Sequence, residues 1–213
     1  MKAIICACAL SFFAIALVQA GAPTPKETMI YRQPNDEPFA RGTKEFQELA
    51  GGFRFFQVHN TDNDYPSIDY VLNTLRLGVM LNDPRGHGFF AGNFEFLGEL
   101  FGGAIVQGPG DGIAGATLIF RYNFVQPGAR FVPYLQIGGG GVYTDVGEKE
   151  SVGQISLPVE FNLQSMGGLR YFLNDRWSLI GEIGYRHISN AGLHSPNTGV
   201  DSIGGNVGVG FSF

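Results

Sequence analysis

Residues 177–189 read WSLIGEIGYRHIS and alternate between two faces. The odd-numbered positions are apolar, aromatic or glycine as far as Tyr185, whereas the even-numbered positions include Glu182 and Arg186. A period of two is that of a β-strand, in which successive side chains point to opposite faces of the sheet. A strand with one apolar face and one charged face is typical of a barrel whose outer wall contacts lipid.

The same period extends on both sides of this stretch, from about residue 50 to the C-terminus. It predicts eight strands, at 50–58, 69–81, 89–101, 113–124, 131–143, 156–172, 177–189 and 201–213. The odd-numbered connections between them are each longer than their neighbours, as expected for an outer-membrane barrel with short periplasmic turns. We therefore predict an all-β fold, an eight-stranded antiparallel transmembrane β-barrel with both chain ends on the periplasmic side.

The composition excludes several other classes. Only 15% of the residues are charged, and glycine accounts for 32 of the 213 residues, which argues against a disordered chain or a coiled coil. The net charge of −5 gives no basic surface for nucleic acid. The mean hydropathy of +0.05 is too low for a bundle of transmembrane helices, but it suits strands that alternate apolar and polar residues.

A soluble lipocalin-like barrel is the alternative fold. Barrels of that class usually fill their interior with large apolar residues. Here the predicted inner face carries charges that can pair with one another, at Arg76, Glu95, Glu99, Arg121, Arg170, Glu182 and Arg186. Such an interior favours a barrel whose apolar face meets lipid. The alternating final strand ends on Phe213, which resembles the C-terminal signal of outer-membrane proteins.

The N-terminus has the features of an export signal. Lys2 precedes an apolar run over residues 3–18, and Val18-Gln19-Ala20 gives the small-x-small pattern of a cleavage site after Ala20. A helical membrane anchor is the alternative, but the run is shorter than the ~18–20 residues that a span needs. We therefore expect a protein of the bacterial outer membrane, exported with a cleaved signal peptide.

The domain prediction follows from these boundaries. Residues 1–20 form the signal peptide, residues 21–45 a periplasmic arm rich in proline and charge, and residues 46–213 the barrel, with a short helix expected at 43–50. Both cysteines lie in the signal peptide, so the mature chain offers no disulfide and no thiolate. We expect no cofactor and no metal site.

Three residues with catalytic chemistry share one face of neighbouring strands. The apolar face of strand seven continues to His187 and Ser189, and that of strand eight begins at Asp201. From Trp177 to Ser189 the strand rises by roughly 30 Å, which places the three residues at the outer-leaflet interface. A hydroxyl, an imidazole and a carboxylate are the parts of an acyl-transfer triad, with Ser189 as nucleophile, His187 as base and Asp201 as the acid that orients it.

The sequence around these residues resembles a family signature. HISNAGL at residues 187–193, followed by PNTGVD at 196–201, resembles the lipid A 3-O-deacylases, eight-stranded outer-membrane barrels that remove the ester-linked acyl chain at the 3-position of lipid A. The resemblance implies lipid A, or lipopolysaccharide, as substrate. It also implies an oxyanion hole at Asn190, with the backbone N–H of Gly192 as a weaker candidate. The acid of the family is glutamate, so Asp201 departs from the pattern.

Two functional hypotheses remain open. The first is an esterase acting on lipid A, and the second is a non-catalytic structural or adhesive barrel that keeps the motif for folding or for lipopolysaccharide contact. A barrel phospholipase or palmitoyltransferase is a weaker hypothesis, because neither motif is present. The sequence leaves open whether two barrels pair as a homodimer.

Overall fold

Eight antiparallel strands pair in chain order, and β1 closes the barrel against β8. The computed structural model describes residues 38–56, 65–149 and 153–213. The strands are β1 (Lys44–Phe55), β2 (Asp69–Met80), β3 (Gly92–Gln107), β4 (Gly112–Phe124), β5 (Phe131–Thr144), β6 (Val159–Phe172), β7 (Trp177–Ser189) and β8 (Val200–Ser212). A 3₁₀ turn at Gly88–Phe90 and the short helix α1 (Val146–Lys149) lie in connections. The predicted fold class is confirmed.

Within the described ranges, none of the helices has the length and apolarity that crossing a membrane requires. The predicted signal peptide at 1–20 and most of the predicted arm lie outside the described residues.

Several strand ends differ from the prediction, most of all the start of β1 and the end of β3. β1 begins at Lys44, so residues 44–50 of the segment expected to be helical are strand, and the barrel starts before residue 46. Its inward side chains include Glu45 and Gln47, both fully buried. Because these inward residues are polar, the start of the strand was not recognised in the sequence. β3 starts after Phe89 and Phe90, which lie in the 3₁₀ turn, and continues to Gln107.

The connections do not alternate in length throughout. Residues 108–111 join β3 to β4, whereas residues 81–91 join β2 to β3. The expectation that every odd-numbered connection exceeds its neighbours is therefore wrong at the third connection. The reason is that β3 and β4 keep their pairing up to Ala104 and Gly112, beyond the predicted strand ends.

The barrel has a terminal end and a site end. At the terminal end, β1 begins and β8 ends. At the site end, β7 stops at Ser189 and β8 starts at Val200, and the connections 56–68, 145–158 and 190–199 emerge there. Aromatic residues pack against one another on the outer wall near the terminal end, as Trp177 does with Phe211 at 4.9 Å between ring centroids. Such a belt is typical of a membrane interface.

Charged side chains fill the middle of the barrel. All seven that the sequence assigned to the inner face are buried. Arg76 bonds Glu99 and Glu182, each at 2.7 Å, and Arg170 bonds Glu95 at 2.6 Å. Because each charge lies beside an opposite charge, the desolvation cost of burying it is offset.

Apolar layers lie on both sides of this charged layer. At the terminal end, Phe39 reaches over the barrel and packs with Met80, Val132 and Phe172. At the site end, inward residues of the strands pack with connection residues, and this cluster includes Phe53, Ile68, Tyr70, Leu72, Phe101, Ile113, Val142, Val146, Ile155, Met166, Ile188 and Val200. The site end is therefore a packed platform beneath its connections.

Candidate active site

The last residues of β7 and the first of β8 bring the predicted catalytic residues together. His187 is opposite Asp201 in the register between the two strands. The neighbouring residues Arg186, Ile188 and Ser202 are buried inward, so His187 and Asp201 point outward. Ser189 lies two positions beyond His187 and therefore on the same face. The alternation of β7 and β8 thus puts all three side chains on the outer wall.

The three side chains form a continuous hydrogen-bond chain. His187 Nδ1 lies 2.8 Å from Asp201 Oδ1, and His187 Nε2 lies 2.9 Å from Ser189 Oγ. A carboxylate only accepts hydrogen bonds, so Nδ1 carries the proton of a neutral imidazole and Nε2 accepts from the serine hydroxyl. This is the tautomer that a general base needs. The shorter side chain of Asp201, where the family pattern has glutamate, reaches the imidazole.

Solvent or lipid has access to this chain of groups. The side chains of His187 and Asp201 are 27% and 17% exposed. They are thus partly desolvated on one side by the barrel and open on the other. An ester that lies against the barrel wall can approach Ser189 without entering the barrel.

Gly199 allows the connection 190–199 to pass close to the imidazole. Its φ of +77° is in the left-handed region, and a Cβ there would lie 2.9 Å from His187 Cε1. Residues with a side chain rarely adopt this conformation, and the added carbon would push against the ring. Glycine is therefore required for the close approach at this position.

The structure does not support the expected oxyanion role of Asn190 and Gly192. Asn190 is 1% exposed, and its two Nδ2 protons go to Ser156 Oγ and His194 O, both at 3.0 Å. The backbone N–H of Gly192 donates to Asn190 Oδ1 at 2.9 Å. Because these donors are already engaged in holding the connection, they are not available for a reaction intermediate.

Asn197 is a further polar residue beside the triad, and strand periodicity in the sequence indicates no role for it. Its Oδ1 accepts a hydrogen bond from the backbone N–H of Asn190 at 3.0 Å. This bond holds the side-chain amide of Asn197 against the backbone directly after Ser189. In the part of the chain that the structure describes, its Nδ2 group makes no hydrogen bond. The Asn-x-Gly spacing before Asp201 was the signal in the sequence that could have identified it.

The connection 145–158 braces the connection 190–199. Thr198 N donates to Gly153 O at 3.2 Å, and Gly199 N donates to Gln154 O at 3.1 Å. The bond from Asn190 to Ser156 adds a third tie. The loop beside the triad is thus held by a second connection as well as by its own strands.

Tyr185 was assigned by its parity to the lipid-facing wall, and the structure adds a contact. Its hydroxyl donates a hydrogen bond to Asp201 Oδ1. Its ring lies nearly parallel to that of His187, with centroids 6.5 Å apart and an interplanar angle of 19°. No signal in the alternation distinguishes this residue from the other outward aromatics.

Among the described residues, no three or more His, Cys, Asp and Glu side chains are grouped so that they could hold a metal ion.

Comparisons with known proteins match the sequence to a family model and the fold to solved barrel structures. The model of the family described as Lipid A 3-O-deacylase (PagL) matches residues 73–210. The structure of Neisserial surface protein A covers 81% of this chain and 98% of its own, at 17% identity and a TM-score of 0.51. The structure of the outer membrane enzyme PagL covers 79% and 98%, at 15% identity and a TM-score of 0.49.

A comparison with curated protein sequences gives no match. The likeness to Neisserial surface protein A shows that the fold is of the outer-membrane barrel type.

Proposed function

The chain belongs to the lipid A 3-O-deacylase family, and from this premise we propose that it is an outer-membrane esterase that removes the 3-O-linked acyl chain of lipid A. The observation that carries the proposal is the bonded chain from Ser189 through His187 to Asp201 on the outer wall. A buried or dispersed set of the same residues would support a structural barrel instead.

The proposed reaction is a two-step acyl transfer. His187 Nε2 takes the proton of Ser189 Oγ, and the oxygen attacks the carbonyl carbon of the 3-position ester. When the tetrahedral intermediate collapses, the bond to the sugar oxygen breaks and His187 returns the proton to that oxygen. Water, deprotonated by the same imidazole, then attacks the acyl-serine. A 3-hydroxy fatty acid leaves, and the hydroxyl of Ser189 is restored.

Asp201 supports both steps from its position opposite His187. The carboxylate holds the imidazole in the tautomer with the proton on Nδ1, and it stabilises the imidazolium that forms when Ser189 loses its proton. It does not take the proton itself. The distance of 2.8 Å to Nδ1 is that of a charge-assisted hydrogen bond.

The oxyanion needs a donor, and we assign this role to Nδ2 of Asn197. The Oδ1 atom of the same amide is held 3.0 Å from the backbone nitrogen of Asn190, next to the nucleophile. The amide is fixed before substrate binds, so it pays no reorganisation when charge develops. One donor of this kind typically contributes about 2.7–4 kcal/mol to the transition state.

The place of the site on the barrel fits a lipid substrate. The 3-O ester of lipid A lies between the sugar and the acyl chains, which is the depth of the outer-leaflet interface. Ser189 is at the site end of β7, roughly 30 Å of strand rise from Trp177 in the aromatic belt. The ester thus reaches the nucleophile by lateral movement in the membrane.

The test is the mass of lipid A from cells that express wild type or Ser189→Ala. Wild type is expected to give a species lighter by one hydroxyacyl chain, and the variant is not. Ser165→Ala is the matched control, because Ser165 is an outward serine on the neighbouring strand, opposite Tyr185. Unchanged lipid A with wild type, in a host that has the 3-O ester, would favour the non-catalytic barrel.

A further inference from the structure

We propose that Tyr185 is a positioning residue of the triad, which acts by holding the carboxylate of Asp201. The inference rests on the proposed function, because it concerns the same site. Tyr185, His187 and Ser189 follow one another on the outer face of β7 at intervals of two residues. Asp201 is opposite His187 on β8, so Tyr185 and Ser189 flank the His–Asp pair on either side along β7.

Tyr185 and His187 donate to the same oxygen. The Tyr185 hydroxyl and His187 Nδ1 both bond Asp201 Oδ1. A carboxylate held by one donor can turn about its side-chain bonds, whereas two donors converging from different directions fix the position of the shared oxygen. The imidazole thereby meets the same oxygen before the reaction and after it becomes charged.

Tyr185 is itself held by two ring contacts. Its ring lies nearly parallel to that of His187, and Phe56 packs against it edge-on, with ring centroids 6.1 Å apart and an interplanar angle of 62°. The backbone N–H of Phe56 also donates to the backbone oxygen of Asp201 at 2.9 Å. The end of β1 thus ties down both the tyrosine and the acid that it contacts.

The partial burial of Asp201 makes the hydroxyl of Tyr185 an important donor. Asp201 has only 17% of its side chain exposed, because the barrel wall and its neighbours cover the rest. A carboxylate there depends on protein donors, because an unmet charge is costly away from water. Phenylalanine at 185 would keep the ring contacts and remove only the donor, so Tyr185→Phe isolates the effect of the hydroxyl.

The first measurement is the rate at which a fluorophosphonate probe labels Ser189 in detergent-solubilised protein. Tyr185→Phe is expected to slow labelling roughly tenfold to a hundredfold, the range for a hydrogen bond to a charged group. Tyr143→Phe is the matched control, because Tyr143 is an exposed outward tyrosine on β5 at the site end. Ser189→Ala should remain unlabelled. Equal rates for Tyr185→Phe and wild type would overturn the proposal.

The second measurement separates positioning from a general effect on structure. In an Asp201→Ala background the hydroxyl has no side-chain acceptor at position 201, so Tyr185→Phe is expected to add no further loss. Independent losses that simply add would overturn the proposal. With lipid A as substrate, the same variant should lower kcat and leave KM unchanged, because the hydroxyl touches Asp201 rather than substrate.

The outcomes distinguish this inference from the proposed function. If wild type labels at Ser189 with the expected dependence on Tyr185 but leaves lipid A intact, the proposed substrate is wrong and the positioning role stands. Folding of each variant is checked by its faster gel mobility before heating. Should Tyr185→Phe fail this check, Tyr185→Leu provides a second hydroxyl-free variant, and labelling at the wild-type rate would contradict the proposal in the same way.

Discussion

At the scale of single residues, the acid of the triad is held by contacts from two neighbouring strands. Asp201 accepts hydrogen bonds from His187 and Tyr185, and its backbone oxygen accepts a third from Phe56. Asp201, which lies on β8, is thus bonded to residues of β7 and to the residue that follows β1. A change at this position should alter chemistry more than folding.

We expect Asp201→Asn to keep the barrel and lose most of its deacylase activity. The neutral amide cannot stabilise the imidazolium, and its N–H₂ group can favour the wrong histidine tautomer, for which a loss of about 10⁴-fold is typical. Asp201→Glu, the residue of the family pattern, is expected to remain active. Lipid A mass spectra measure both variants, and full activity of Asp201→Asn would remove this residue from the mechanism.

Asn190 is expected to act through the loop. Asn190→Ala removes the bonds to Ser156 and His194 that hold the connection, at a cost of about 0.5–1.5 kcal/mol for each hydrogen bond. The connection 190–199 should become more sensitive to added protease, and activity should fall with it. Asn174→Ala is the control, since Asn174 holds a turn at the terminal end by similar side-chain bonds. Unchanged proteolysis within 190–199 would contradict this role.

The sequence predicted the site residues that lie on strands, because there the period of two shows which face each side chain occupies. His187, Ser189 and Asp201 lie on strands, and counting by two from Trp177 is enough to place the first two on one face. Asn190 lies in a connection, and its partner Ser156 is 34 positions away. Which of its donors remain free depends on that long-range contact, so the motif alone does not determine whether the side chain can bind an oxyanion.

At the scale of the secondary-structure elements, strand ends were harder to predict than strand centres. β7 begins and ends where the alternation does, at Trp177 and Ser189. β3 runs on through Gly102 and Gly103, which carry no side chain to mark a face. Its true end follows from pairing with β2 and β4, which sequence periodicity does not contain.

The orientation of the elements in the membrane remains a prediction. A cysteine at Gln107, at the site end of β3, should react with a bulky impermeant maleimide on intact cells. One at Ala129, in the connection 125–130 at the terminal end, should react only after lysis. The wild-type protein is the control, because its two cysteines lie in the predicted signal peptide. The reverse labelling pattern would show that the barrel has the opposite orientation in the membrane.

At the scale of the whole molecule, the charged layer joins strands that are far apart in the chain. Glu182 on β7 accepts hydrogen bonds from Arg76 on β2, Tyr134 on β5 and Asn206 on β8, all within 2.9 Å. Contacts across the interior therefore add to the hydrogen bonds between neighbouring strands. The inward charges were readable from the sequence because they break an otherwise apolar pattern, but their pairing depends on closure of the barrel.

We expect Glu182→Gln to destabilise the folded barrel by about 3–5 kcal/mol, the usual cost of breaking a buried ion pair. The removed charge leaves Arg76 with Glu99 as its charged partner. Urea unfolding of the protein in lipid vesicles measures the change. Glu48→Gln is the control, because Glu48 points outward from β1 and is exposed. Equal midpoints for the two variants would show that the interior pairs contribute little.

The packing of the charged layer between two apolar layers has a consequence for permeability. A polar lumen in a large barrel forms an aqueous channel. Here the central side chains Arg76, Arg121 and Arg170 are at most 1% exposed, which leaves no water-sized space beside them. A planar bilayer that holds the protein should therefore carry no additional current under an applied voltage. A cell can then keep many copies of the barrel in its envelope without electrical leakage through them.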